Sequence, residues 1–185
     1  MSNMKKYLMT SVVLGSIATA SGLLIAGTNL ITRDRIKANE QETINMGLAK
    51  IYDIDDVKNL NSSMAELPEE QKFDYVLSSY YEVKNANNEP LGYAFKTKGS
   101  NSYGSISLIV GFNANYIYQG VSVVENGQSF ASTLQKNYLN PLIKEHKSLN
   151  EVDVSCGATF GAKLTRDMIN DAYKAAEYLK GANNG

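Results

Sequence analysis

Near the C-terminal end, Cys156-Gly157-Ala158-Thr159 places a thiol and a hydroxyl on either side of two small residues, with Asp153 three positions before the thiol. Thr159 is the residue with the most to offer chemically. Its hydroxyl stands where a small-residue loop runs into an amphipathic helical pattern, and Gly157 and Ala158 leave room for a bulky group to approach. A helix N-terminus presents unpaired N–H groups and a positive dipole end, so a phosphate held on that hydroxyl would be stabilised there. Thr is also common as a plain cap at such places, and the residue types alone do not separate the two readings. Asp153 is open in the same way: it either serves a ligand or partner, or closes a turn on its own backbone. Cys156 reads as a small stand-in for serine, because no basic neighbour is in view to activate it.

These residues need a scaffold. The stripe Leu164, Met168, Ala172, Ala176 and Leu179 predicts a final helix starting near Ala162 and stopping at Gly181. Ahead of it, Phe130 to Tyr138 reads as a short helix, and Pro141 is expected to reset the chain direction. Strand patterns fill the middle. Tyr75, Leu77, Tyr81 and Val83 alternate with polar positions, Leu91 to Thr97 follows a turn at Asn85 to Pro90, and Lys98 to Gly104 reads as a loop. Ile106, Leu108, Val110 and Phe112 alternate most cleanly, turn at Asn113-Ala114-Asn115, and return through Ile117, Val121 and Val123. Asn is expected wherever that hairpin needs left-handed backbone. Antiparallel strands between flanking helices predict an α+β domain.

No charged residue occurs from Tyr7 to Thr32, long enough for a helix to cross a bilayer, which takes about 20 apolar residues. A cleaved signal peptide ending at Ala18-Thr19-Ala20 is the rival reading, but it leaves Gly22-Leu23-Leu24-Ile25-Ala26 exposed at the new terminus, so a retained anchor is expected. Lys5 and Lys6 precede the run and Arg33, Arg35 and Lys37 follow it, so charge alone does not orient it. Thr32 to Tyr52 should continue as helix, with Ile44, Leu48 and Ile51 on one face. Asp53 to Glu70 reads as an acidic loop or short helix. The expected organisation is an anchor over 1–32, a membrane-proximal helix and acidic connector over 33–73, and the α+β domain over 74–185.

The chain has 185 residues and a formal charge of −1. Only two of its 18 Lys/Arg precede residue 32 and all 19 Asp/Glu follow it, so the domain is more acidic still. That speaks against a nucleic-acid surface. A single Cys forms no internal disulfide, and no Cys/His cluster suits a metal. His146, the only histidine, has nothing around it to recommend a nucleophile–base device.

Asp153, Gly157, Ala158 and Thr159, behind an N-terminal span, resemble the Asp-x-x-Ser/Thr-Gly-Ala-Thr flavin-attachment motif of RnfG/NqrC-type FMN-binding subunits. Cys156 replaces the usual hydroxyl residue. Thr32-Arg33-Asp34-Arg35-Ile36 resembles the Thr-x-Asp-x-Ile stretch that follows the span in that family. The chain departs from the family at two places. Gly161 stands where a Ser or Thr is frequent, and Val124 to Ala131 lacks the Glu-Thr-Pro-Gly-Leu-Gly loop, with Gln128-Ser129 in place of Glu-Thr.

The resemblance implies FMN joined by a phosphoester to Thr159, with Asp153, Cys156, Gly157 and Ala158 as the surrounding motif. Gln128 and Ser129 keep hydrogen-bonding groups suited to a flavin edge. Phe160, and less strongly Tyr103, Tyr118 and Phe130, are candidates to stack on the ring. It further implies an electron carrier in an Rnf-like or sodium-translocating NADH:quinone oxidoreductase-like complex, a domain outside the cytoplasm, neighbouring membrane subunits, and an FAD-dependent FMN transferase. Two alternatives stay open: a tethered binding or scaffold domain with a degenerate flavin site, and a stand-alone flavoprotein of extracellular electron transfer.

Overall fold

The computed structural model describes residues 3–68, 72–144 and 148–183; His146 lies outside them. The chain divides into two units, Met1–Glu42 and Thr43–Gly185. Helix α1, Asn3–Ile51, runs through the first and ends in the second. In the first unit its large apolar side chains are exposed, among them Leu8, Val12, Ile17, Leu24 and Ile31. This helix is long and apolar enough to cross a membrane. Thr10, Ser16, Thr19, Thr28 and Thr32 each turn their hydroxyl back onto a carbonyl four residues earlier. These five hydroxyls would then not be unpaired in hydrocarbon, where an unmet polar group costs several kcal/mol.

The second unit is built on one five-stranded antiparallel meander, β1 Leu60–Glu66, β2 Val76–Asn85, β3 Pro90–Asn101, β4 Gly104–Asn113 and β5 Tyr118–Asn126, in that spatial order. Together with its helices it is the expected α+β arrangement. Both faces are covered, so the central strand β4 is buried continuously from Ile106 to Phe112 and does not alternate in and out. Ile106, Leu108, Val110 and Phe112 point to the larger core, under the C-terminal helix α4, Thr159–Asn183. Ile109, with Tyr81, Val83 and Ala94, points to a smaller core closed by Ile44, Leu48 and Ala49 at the end of α1.

Several sequence expectations are corrected. The stretch read as loop or short helix from Asp53 to Glu70 contains a short 3-10 helix, Val57–Asn59, and also the unexpected edge strand β1, of whose side chains only Leu60 is buried. The predicted loop at Lys98 to Gly104 is strand up to Asn101, with only a tight turn before β4. Its glycine is there for close approach: a Cβ on Gly99 would lie 2.8 Å from Leu164 Cδ1 and 2.9 Å from Met168 Sδ. In β2 a register shift between Val76 and Tyr80 buries Val76 and leaves Leu77 exposed, reversing the expected alternation there. The left-handed residue of the β4–β5 turn is Tyr116 at φ 62°, while Asn113 accepts hydrogen bonds from the Asn115 and Ile117 N–H groups.

The helical region after β5 is also longer than expected. Ala131–Leu134 (α2) runs through a π-helical segment, Gln135–Leu139, into α3, Asn140–Lys144. Pro141 therefore sits inside a helical stretch, and the widened turns fall where its missing N–H breaks the ladder. α4 begins three residues before the predicted start and passes through Gly181 to Asn183. Its apolar stripe is as expected, with Leu164, Met168, Ala172, Ala176 and Leu179 all buried. The buried Asp171 fastens it to the sheet by accepting the Tyr75 and Val76 N–H groups at 2.8 and 3.2 Å.

Candidate functional site

The segment Val152 to Ala158 delivers Thr159 by a series of tight local bonds. Asp153 Oδ1 accepts the Ser155 N–H at 2.8 Å, and Asn137 Nδ2 donates to the Cys156 carbonyl at 2.8 Å. Gly157 follows at φ 84°, backbone that a side chain strains. Ala158 is buried, and its carbonyl accepts the Ala162 N–H at 2.9 Å, the bond that opens α4. Ala158 thus stands at the cap position with no side-chain oxygen to offer. Thr159 is the first helical residue, half-buried, and its hydroxyl has no hydrogen-bond partner among the described residues. The same holds for the Thr159, Phe160 and Gly161 N–H groups. Thr159 is therefore not serving as the cap of its helix.

Beside this helix start lies a cleft of about 230 Å³ lined by Gly157 to Gly161 together with Tyr103, Gln128, Phe130 and Leu134. The turn between β3 and β4 supplies Tyr103, and the loop after β5 supplies Gln128 and Phe130. That loop is held by backbone bonds, Gly127 N–H to the Ser105 carbonyl and Ser129 N–H to the Tyr103 carbonyl. Gly104, at φ 127°, lets it approach closely; a Cβ there would strike the Gly127 carbonyl oxygen. The aromatic rings form a partly exposed wall. Tyr103 stacks on Phe160 at 5.2 Å and 23°, and Phe130 leans on Tyr103 at 6.1 Å, with Phe130 and Phe160 53% and 61% exposed.

Gln128 is 6% exposed, and its Nε2 donates to the Gly104 carbonyl at 2.5 Å. A carbonyl only accepts, so this bond fixes which end of the amide is which. The other end, Oε1, has no donor among the described residues and abuts Gly161, 3.3 Å from where a Cβ would stand. Facing the cleft without a protein donor, this oxygen can accept from water or from a ligand N–H. The same packing explains the glycine. A side chain at 161 would also press Leu134 Cδ2 at 3.0 Å.

Of the residues singled out from sequence, Gln128, Gly157, Ala158, Thr159 and Phe160 line this cleft. Asp153 and Cys156 instead line a separate shallow depression with Lys136, Asn137 and Ser155. Ser129 is turned away, its hydroxyl donating to the Tyr103 carbonyl at 3.0 Å. Tyr103 and Phe130 meet Phe160 as stacking candidates, but Tyr118 does not; it packs at 5.5 Å on Tyr173 in the core. Leu134 and Gly161 were not anticipated as walls. Among the described residues no group of His, Cys, Asp and Glu could hold a metal.

Fold and cleft together define an α+β domain behind a membrane-length helix, with a ligand cleft built on the start of its last helix. The family model for the RnfG N-terminal region matches residues 1–51. No curated protein matches the chain at a significant level. The match covers α1 and none of the cleft, so the site stands on its own geometry.

Proposed function

We propose that this protein is the membrane-anchored flavin carrier of an Rnf-like complex, with FMN held by a phosphoester to Thr159. The observation that carries the reading is the free Thr159 hydroxyl at an uncapped helix start, opening on a cleft with aromatic walls. The residues present suit the group. Phe160, Tyr103 and Phe130 offer faces for a flat ring, the unmet Gln128 Oε1 suits a ring N–H, and the α4 N-terminus suits phosphate. Asp153 and Cys156 shape the loop from behind, which fits recognition of the motif by a separate transferase.

Transfer from FAD forms one P–O bond to Thr159 and breaks the P–O bond to AMP. The hydroxyl proton leaves to a base of the transferase. A flavin attached there would supply one- and two-electron redox chemistry. The chain's own part would be to keep the group from diffusing away and to offer its ring the aromatic faces of Tyr103, Phe130 and Phe160. The anchor confines the domain to partners in the same bilayer and raises their effective concentration. In this reading the domain lies outside the cytoplasm, where free FMN would be lost.

The test is to produce the chain with an FAD-dependent FMN transferase and to examine it denatured. Flavin fluorescence and the added mass of FMN are expected in wild type and in Cys156→Ser, and neither in Thr159→Ala. Fluorescence that persists in Thr159→Ala rejects the attachment site. Absence of flavin from wild type favours a tethered scaffold domain with a degenerate site, a reading the altered loop at Val124 to Ala131 also suits.

A further inference from the structure

Because α4 begins at Thr159, Lys163 lies one helical turn further on, at the i+4 position. Residues so spaced share a helix face, and long helical side chains lean back toward the N-terminus, so the Lys163 side chain can reach back toward the Thr159 hydroxyl. Its ammonium forms no ion pair among the described residues. Asp167, the acid one turn beyond it, is engaged by Arg166 Nε at 3.6 Å, and a Lys placed before its acid is the weaker order on a helix. The first turn of α4 carries no acidic residue, so nothing neutralises the positive end of the helix. On the cleft wall beside it, Gln128 is 6% exposed and its Oε1 has no donor among the described residues.

We propose that Lys163 is the counter-charge for the phosphate carried on Thr159, closing from above an anion seat whose floor is the N–H groups of Thr159, Phe160 and Gly161. This rests on the attachment proposed above and goes beyond it, since Lys163 is outside both the attachment motif and the cleft wall. Lys163 is a positioning residue: it holds the phosphate against the helix start, and so fixes where the tethered ring can reach.

The experiment uses the full chain in detergent, prepared with and without co-produced transferase, as wild type, Lys163→Gln and Lys163→Arg. Thermal unfolding gives the rise in Tm that flavin attachment brings to each. Lys163 is exposed, so the three flavin-free chains are expected to melt alike. The rise is expected to be smaller in Lys163→Gln than in wild type, by on the order of 2 °C, and to be kept in Lys163→Arg. The gap should close in about 1 M NaCl, where screening acts over roughly 3 Å. A Lys163→Gln chain that resists attachment while Lys163→Arg accepts it also supports the role. Equal rises in all three overturn it and leave the attachment standing. No FMN on wild type overturns the attachment, and this inference with it.

Discussion

Replacing Gly157 by Ala isolates one feature of the site, the left-handed turn that presents Thr159. At φ 84° the backbone is in a region that costs an L-residue about 1–2 kcal/mol. Space is not the obstacle, because an added Cβ would lie 3.4 Å from Thr133 Cγ2, an ordinary contact. The loss should therefore be backbone strain alone, slightly offset by the reduced freedom of the unfolded chain. A net 1 kcal/mol lowers the melting temperature of a domain this size by roughly 2–4 °C. Gly181 is the matched control. It lies inside α4, at ordinary helical φ, with nothing within 4 Å of an added Cβ. There the same substitution should stabilise, by up to about 0.8 kcal/mol and less if the helix end frays. Both variants, and the wild type, are to be melted as full chains in detergent and followed by circular dichroism at 222 nm. Opposite signs are expected from one chemical change. If Gly157→Ala melts at or above wild type, the left-handed turn is wrong, and with it the account of how Thr159 is displayed.

Asp171→Ala should lower stability by about 2–4 kcal/mol in urea unfolding, since it strands the buried Val76 N–H and the Tyr75 N–H together; Asp171→Asn should lose less. Burial pushes the Tyr93 and Tyr138 hydroxyls up to about 12, Tyr93 with help from its hydrogen bond to Tyr116 and Tyr138 against the pull of Arg166. The folded chain then holds protons that the unfolded chain releases near 10, so their contribution is intact below pH 10 and lost as pH rises through 12. Absorbance at 295 nm should show these two rings ionising late in Tyr93→Phe and Tyr138→Phe comparisons. As a carrier, the flavin-bearing chain should be reduced slowly or not at all by NADH alone in stopped flow, and quickly only with its membrane partners. Rapid direct reduction would make it an enzyme in its own right.

What the sequence conveyed, and what it hid, follows from how each element earns its stability. The β4 hairpin and the α4 stripe were legible because apolar residues recur at the period of the element. β1 was not: Asn61, Ser62 and Ser63 hold their place through backbone pairing to β2, and an edge strand leaves little apolar pattern behind. Gly99 misled in the other direction. A glycine among Ser and Asn reads as a loop, whereas here it is strand flattened to admit Leu164 and Met168. That kind of close approach is a property of two distant segments, and one of them alone does not display it.

The cleft shows the same limit at the scale of a few residues. Thr159 and its small neighbours could be picked out because the motif is contiguous. The wall opposite comes from the β3–β4 turn and the loop after β5, more than 25 positions away, and only the sheet register brings Tyr103 and Gln128 to Phe160. Gly161 is the telling case. From sequence it is a lost hydroxyl, a weakening of about 1 kcal/mol. In the fold it is the space that Leu134 and the Gln128 amide occupy. The missing hydroxyl and the unusual Gln128 are thus two sides of one packing arrangement. In a Gly161→Ser chain the new Cβ would stand 3.0 Å from Leu134 Cδ2 and 3.3 Å from Gln128 Oε1, so both would have to give by a few tenths of an ångström.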